Sequence, residues 1–497
     1  MWRRAPRADD GPVTEIIAGP QLSPLEILAL LGAVALVAAR WLPAAAREPV
    51  TVAAGSLFAL CAVGLGVTGL RWQLLPVLAG GALALPFAVA PLVRRRTGRP
   101  ARRARWWVAL PGTALCVVLT ATGPAAAWAF PVPELPAPTG RFAVGTRVMQ
   151  WIDPDRPETA TPDPEDRRTV VVQLWYPAQE SPEGTPRARY LGRTEQEART
   201  VADALASYSS LPGFLMDGVP RARSHAVVDA PVAGEGGRFP VVLFSPGLGG
   251  VRTQNTAWAE ELASHGYVVA ALDHPYDSAA VVLADGRTIG TENASTGDDA
   301  EDDRRAAETT RIRAADLGFV LTRLERLDRG EGDAALTGRL DTARAAATGH
   351  SLGGAAALQA ARQDGRFTAV IDLDGYPRDP ERLPFHQPAL ALTQAIGPQT
   401  DERYIPRLTE VLKLGTATGY RLTVPGTAHL TFTDAPLYLP PLPSLVGSLD
   451  GRGEGPRVVA AATLAFLDAT LRQEPGDLAG TLSAYGDLTV HRPGGSG

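Results

Sequence analysis

Cysteine is almost missing from this 497-residue chain: Cys61 and Cys116 are the only two, and both fall inside apolar stretches. A disulfide framework and a cysteine-based metal site are thereby excluded from everything beyond residue 116. Lysine is scarcer still, with Lys413 alone among 48 basic residues. That bias toward arginine, together with abundant Ala, Gly and Pro, reads as a GC-rich bacterial genome and carries no mechanism. No repeat at solenoid periods is visible. Basic charge is also lacking where a nucleic acid would need it. Residues 1–130 carry a net charge of +8, whereas the remainder carries −13, which argues against a nucleic-acid partner.

Long apolar runs crowd the first 130 residues. "TVAAGSLFALCAVGLGVTGL" (51–70) is uncharged and long enough to cross a bilayer as a helix. "WQLLPVLAGGALALPFAVAPLV" (72–93) and "WWVALPGTALCVVLTATGPAAAWAF" (106–130) also qualify, with Trp at their ends as interfacial anchors. A fourth run, from Leu25 to about Pro43, has Glu26 and Arg40 bracketing a short core, which places both at interfaces. The loop "RRRTGRPARRAR" (94–105) holds seven arginines and no acid, so the positive-inside rule puts it in the cytoplasm. The chain then exits, and the part after residue 130 is expected outside the cytoplasm of a multi-pass membrane protein. "PVPELPAPTG" (131–140) reads as a stiff Pro-rich spacer.

The pattern then changes to short apolar runs alternating with helical segments. "RTVVVQLWYPA", "HAVVDAPV", "FPVVLFSPG", "YVVAALDHP", "FTAVIDLDG", "PALALTQAIG" and "YRLTVPGTAH" read as strands. Segments 252–266, 302–327 and 456–473 read as helices. The acid cluster Asp298, Asp299, Glu301, Asp302 and Asp303 reads as a dipole-matched helix start in preference to a metal site. The fold class is thus α/β, a mostly parallel sheet flanked by helices, preceded by an all-α region of about four transmembrane helices. The expected limits are 1–130 for the membrane region, 131–167 for linker and lead-in, 168–475 for the α/β domain and 476–497 for a tail.

"AAATGHSLGGAAALQA" (345–360) contains G-x-S-x-G at Gly349, Ser351 and Gly353, a nucleophile elbow only if a strand precedes it and a helix follows. The preceding "ARAAAT" is a weak strand candidate, since it lacks β-branched residues. Asp374 is expected to end the next strand, and His429 to end a later one. Serine, acid and histidine in this order, each at a strand end, form a nucleophile, an orienting carboxylate and a base. Asp372, one pleat deeper, and Asp401 are the rival acids. His350 reads as packing, His265 and His274 as structural or pocket-lining, and His386 and His491 lie in a loop and the tail. The oxyanion donors are expected to be the backbone N–H groups of Leu352, after the nucleophile, and of Leu248, in "SPGLGG". Phe214, Leu215 and Met216, in "SSLPGFLMDG", either cover the pocket or pack under their own loop.

The runs "FPVVLFSPGLGGVRTQNTAWAEELASHGYVVAALDHP", "GHSLGGAAALQAARQDGRFTAVIDLDGYP" and "GTAHLTFTD" resemble the platelet-activating factor acetylhydrolase family, within the α/β-hydrolases, over roughly residues 168–440. The resemblance implies Ser351 as nucleophile, Asp374 as acid, His429 as base and Leu248 and Leu352 as oxyanion donors. It also implies a calcium-independent serine esterase, without cofactor or metal, acting on short or oxidised acyl chains. Pro246 departs from the pattern, standing where the family usually has His. Lipid-like esters and the bilayer are the expected partners. An acyltransferase, a polyesterase or cutinase-like enzyme, and a non-catalytic membrane receptor are the alternatives.

Overall fold

The computed structural model describes residues 21–98, 105–292, 296–381, 383–395, 397, 400–448 and 451–493, with the side chains of 451–454 excepted. Half of the arginine-rich loop 94–105 therefore lies outside the described residues. The chain divides into two compact units, Met1–Pro133 and Glu134–Gly497.

The first unit is a bundle of α1 (Pro24–Ala39), α2 (Ala44–Thr68), α3 (Leu75–Arg96) and α4 (Trp106–Ala129), with a 3-10 turn at Trp72–Leu74 leading into α3. Among the described residues, three segments are long and apolar enough to cross a membrane: Ala44–Thr68, Trp72–Arg96 and Trp106–Ala129. With 16 residues, α1 is about 24 Å long, short of a hydrocarbon core of about 30 Å. Glu26 does more than sit at a helix end. It closes a capping box with Ser23, and its carboxylate takes Arg71 Nε at 2.7 Å and Nη2 at 2.6 Å, so both buried charges are matched by a forked pair. Small residues bring the helices together. A Cβ on Gly32 would lie 3.2 Å from Phe58 Cα, and one on Gly81 would strike the Phe58 ring. Phe58 is clasped between α1 and α3 by residues without side chains.

Among the described residues, the second unit is built on thirteen strands: β1 (Ala143–Pro157), β2 (Arg167–Ala178), β3 (Arg187–Arg189), β4 (Arg223–Val228), β5 (Phe239–Ser245), β6 (Val268–Asp273), β7 (Ala280–Val282), β8 (Thr288–Gly290), β9 (Leu340–His350), β10 (Phe367–Leu373), β11 (Ala389–Thr393), β12 (Gly419–Thr423) and β13 (Asp487–His491). Eleven form one sheet in the order β13-β12-β11-β10-β9-β5-β6-β2-β1-β4-β3, and β7 pairs with β8. The six strands from β12 to β6 are parallel; β13 and β2 flank them antiparallel. The sheet passes the expected limits 168–475 on both sides. β1 lies in the expected lead-in and β13 in the expected tail, and both are partly exposed. Their mixed polar sequences lack the continuous apolar run of a doubly covered strand. The spacer is not free either: Leu135 O bonds His225 Nε2 at 2.9 Å and Thr139 N–H donates to Glu261 at 2.8 Å.

Side chains alternate across the central strands into two layers. Val241, Leu243, Ala345 and Ala347 face α7 (Asp299–Asp328) and α8 (Leu352–Gln363), against Leu317, Leu321, Leu324 and Ala357. Val242, Phe244 and Ala346 face Trp258 and Leu262 of the helix Thr256–Ser264 and Phe466 of the helix Gly451–Thr470. The Ala-rich β9 is a full strand, with Ala345, Ala346 and Ala347 all buried. Its weak propensity is overridden because it sits between β5 and β10 with a helix layer on each face, where small side chains allow close packing. The acid cluster opens α7 as expected of a helix start, with Asp298 accepting the Ala300 and Glu301 N–H groups at 2.9 and 3.0 Å.

Where β9 leaves the sheet, a Cβ on Gly353 would collide with the carbonyl oxygens of Ser245 and Pro246, whereas one on Gly365 would meet nothing within 4 Å. Gly353→Ala is therefore expected to destabilise the fold by about 1–3 kcal/mol. Gly365→Ala is expected to unfold with the parent; equal thermal unfolding of both variants in detergent would refute the close approach.

Candidate active site

Ser351 stands between the last residue of β9 and the first of α8, at φ 55° and ψ −122°. That left-handed backbone costs a serine about 1–3 kcal/mol. It is held by the Ser351 N–H donating to Leu373 O at 2.9 Å. The sharp turn throws the hydroxyl clear of the sheet, at the carboxyl ends of the strands.

Asp374 directly follows β10 and shares the same unusual backbone, with φ 55°. Its Oδ2 lies 2.6 Å from His429 Nδ1. Its Oδ1 accepts the Gln394 N–H at 2.8 Å and the Tyr404 hydroxyl at 3.1 Å. The carboxylate is thus bonded on both oxygens, aimed, and buried. Burial and the nearby Asp374 hold the Tyr404 phenol well above its usual pKa, so it stays a donor. His429 does not end a strand. β12 stops at Thr423, and His429 opens the 3-10 turn His429–Phe432. The intervening loop is set by Gly426 at φ 71°, by Thr427 Oγ1 donating to Val424 O, and by Ala428 N–H donating to Thr431 Oγ1. The His429 ring lies against that of His350, centroids 4.6 Å apart, and His350 is the neighbour of Ser351 in the chain. No hydrogen bond joins the Ser351 hydroxyl to His429; such bonds commonly tighten only when substrate is bound.

The loop after β5 completes the site. A Cβ on Gly247 would sit 3.1 Å from His350 Nδ1 and 3.5 Å from Ser351 Cβ, so this loop passes directly beside the elbow. The N–H groups of Leu248 and Leu352 have no protein acceptor among the described residues. Two supports hold the loop. Gln254 accepts the Gly247 N–H at 3.0 Å and bonds His350 Nδ1 at 3.0 Å, and His350 Nε2–H reaches His429 O at 3.0 Å. Burial, with His429 alongside, pushes the His350 pKa well below its usual value, so the neutral ring accepts at one nitrogen and donates at the other. His350 is therefore a strut between the loop and the His429 backbone, which is more than packing. From below, the buried Arg313 donates to the carbonyls of Pro246 and, at 3.0 Å, Gly247, while pairing with Asp277. Pulling those carbonyls inward turns the following amides outward. Gln254, Tyr404 and Arg313 were missed from the sequence.

The rivals are elsewhere. Asp372 is buried below the turn, accepts the Gly375 N–H at 2.8 Å, and has one oxygen without a partner; burial, and Asp374 beside it, push its pKa well up. Asp401 is exposed and paired with Arg403 at 2.9 Å. His265 bonds its own helix, His386 bonds Thr416, and His491 lies on the edge strand β13. His274 belongs to a second Ser-His-Asp chain: Nε2 is 2.9 Å from Ser245 Oγ and Nδ1 is 2.7 Å from Asp316 Oδ2. All three residues are fully buried, and burial lowers the His274 pKa to about 4. In the 209–218 segment Met216 is buried while Phe214 stays exposed, so the loop both packs and presents an apolar side chain.

Residues 129–477 match the model of the family described as platelet-activating factor acetylhydrolase, isoform II. The chain is similar to a platelet-activating factor acetylhydrolase from Cavia porcellus, 30% identical over 224 residues, 42% of this chain and 50% of that protein. It is also similar to a probable 1-alkyl-2-acetylglycerophosphocholine esterase from Arthroderma benhamiae, 27% identical over 283 residues, 53% of this chain and 64% of the relative. The match thus spans about half to two thirds of these relatives' lengths. Among solved structures, a ferulic acid esterase from Streptomyces cinnamoneus aligns with a TM-score of 0.57 at 30% identity, covering 72% of this chain and 99% of its own.

A fluorophosphonate probe separates the Ser351, His429 and Asp374 group from the buried Ser245–His274–Asp316 chain. The adduct is expected on Ser351 by peptide mass spectrometry, with Ser245 unmodified; an adduct on Ser245 would show that the buried chain is the reactive one.

Proposed function

The chain belongs to the platelet-activating factor acetylhydrolase isoform II family, and from that premise we propose a serine hydrolase of carboxylic esters working through Ser351, His429 and Asp374. The observation that carries the proposal is the 2.6 Å pairing of Asp374 with His429 beside the elbow. Asp374 fixes the Nδ1–H tautomer, leaving the Nε2 lone pair to take the Ser351 proton. The alkoxide attacks the acyl carbon, and the Leu248 and Leu352 N–H groups receive the developing negative charge. His429 then returns the proton to the leaving alcohol. Water, deprotonated by the same imidazole, releases the acid from the acyl-enzyme.

A short or oxidised acyl chain on a lipid-like alcohol is the substrate class we favour, in keeping with the acetylglycerophosphocholine ester in the fungal relative's name. The similarity to a ferulic acid esterase supports a second reading, an aromatic acyl group on the same machinery. Ser351→Ala is expected to lower turnover of a short p-nitrophenyl ester by roughly 10⁴-fold or more, and Asp374→Asn by about 10⁴-fold. A folded Ser351→Ala variant with parental turnover would end the proposal. Comparing acetyl with feruloyl esters decides between the two readings.

We further propose that the bundle anchors the enzyme in a membrane with the arginine-rich 94–105 end cytoplasmic, so that the hydrolase unit is extracytoplasmic. Protease added to right-side-out vesicles is expected to cleave the hydrolase unit, and to spare it in inverted ones. The opposite pattern would reverse the topology.

A further inference from the structure

The turn that carries His429 and the loop that carries Leu248 come from distant parts of the chain, and a group of buried bonds ties one to the other. Besides the His350 strut, Asn255 Nδ2 donates to Phe432 O at 2.6 Å. The Asp434 N–H donates to Gln254 O at 3.0 Å, and the Asp434 side chain accepts the Ala257 N–H at 3.3 Å through Oδ2. Phe432 closes the 3-10 turn that His429 opens, and Asp434 stands two residues beyond it.

The two side chains share one task in an unusual way. Asn255 occupies the N-cap position of the helix Thr256–Ser264 but makes no capping bond there. Its amide faces the other way, with Oδ1 accepting from Gln254 Nε2 at 3.2 Å, and Gln254 is the residue whose Oε1 holds the Gly247 N–H. The N–H groups at a helix start need acceptors from outside the helix. Asp434, 177 positions along the chain from Ala257, supplies one. The cap of this helix is therefore delivered by the segment that bears the base, while the local capping residue reaches back to that same segment. Asp434 is 2% exposed and is bonded by the Tyr190 hydroxyl, from just beyond β3. Burial, with Glu260 adding to it, pushes the Asp434 pKa up to about 8 against the amide donors that favour ionisation. At neutral pH the side chain is thus mainly the uncharged acid, for which asparagine is the near-isostere.

We propose that Asp434 and Asn255 are positioning residues for the ester hydrolysis, holding the turn that carries the His429 imidazole in register with the loop that carries the Leu248 N–H. Proton removal from Ser351 and charge growth on the acyl oxygen belong to one transition state, so base and oxyanion donor have to be placed relative to each other. A drift of about 1 Å between them is enough to cost up to about 10²-fold in rate. The inference rests on the Ser351, His429 and Asp374 reading of the site.

The test uses the full chain in detergent, with turnover counted per fluorophosphonate-titrated site so that unfolded protein does not contribute. Asp434→Ala and Asn255→Ala are each expected to lower kcat on a short p-nitrophenyl ester by about tenfold or more, with KM changed by no more than about twofold. Asp434→Asn is expected to keep kcat within about threefold of the parent, since its amide oxygen still accepts the Ala257 N–H without adding a charge. Combining the two alanine changes is expected to cost less than the product of the separate losses, as for groups that maintain one register. Ser351→Ala, run alongside, tests the triad reading itself, and parental turnover in that variant would sink the reading whatever the other variants do. Should Asp434→Ala fail to fold, Asn255→Ala and Asp434→Asn decide alone. Parental kcat in the folded alanine variants, a raised KM with kcat kept, or a loss in Asp434→Asn of tenfold or more would overturn the proposal.

Discussion

Everything at the site depends on how closely two backbones approach at the carboxyl ends of β5 and β9. Side chains on Gly349 or Gly353 would collide with the Ser245 carbonyl, so the elbow can pass under the loop only because those positions are bare. These neighbouring strands lie where the order of the sheet reverses: β6 follows β5 on one side, and β10 follows β9 on the other. A crevice opens at such a switch point. The same approach brings the loop that carries Leu248 beside the elbow that leads into Leu352, with a Cβ on Gly247 3.5 Å from Ser351 Cβ. Strain concentrates here as well, with Ser351 and Asp374 both holding non-glycine residues at φ 55°.

A layer of buried charge beneath the loop keeps this arrangement from relaxing. Arg313 grips the carbonyls of Pro246 and Gly247 and is itself held by Asp277. Alongside it, Asp316 joins His274 to Arg168, which also reaches Glu158. Burial alone would raise the Asp316 pKa, but Arg168 and His274 outweigh it and hold the carboxyl well below the usual range. Such networks seldom add net stability, because desolvation offsets the attraction, yet removing one member is costly. Their effect is to fix one geometry. The contrast between the two Ser-His-Asp chains follows from this. Ser245, His274 and Asp316 have triad chemistry but no access to solvent and a histidine kept neutral by burial. In the proposed triad, by contrast, the His429 side chain is 41% exposed and Asp374 sits buried behind it.

Much of this was legible in the sequence, because the central strands are unbroken apolar runs and the elbow glycines are a local steric requirement. Ser351 and Asp374 lie within one residue of a strand end, where linear reading is strongest. What escaped has physical reasons. β9 hid behind alanine, whose poor strand propensity is outweighed by burial on both faces. β1 and β13 hid because one face of each is wet. His429 sits six residues past β12, in a loop shaped by threonine hydroxyls that no periodicity encodes. Arg313 and Asp316 were readable in principle, since they share the helical stripe of Leu317, Val320 and Leu324 that packs on the sheet. Charged residues on an apolar stripe signal a buried network before any coordinates exist.

That signal also organises the molecule's arginines. Arg168, Arg252 and Arg313 are buried in the hydrolase unit, and each contacts at least one carboxylate. In the bundle, Arg71 is buried against Glu26 under the same rule.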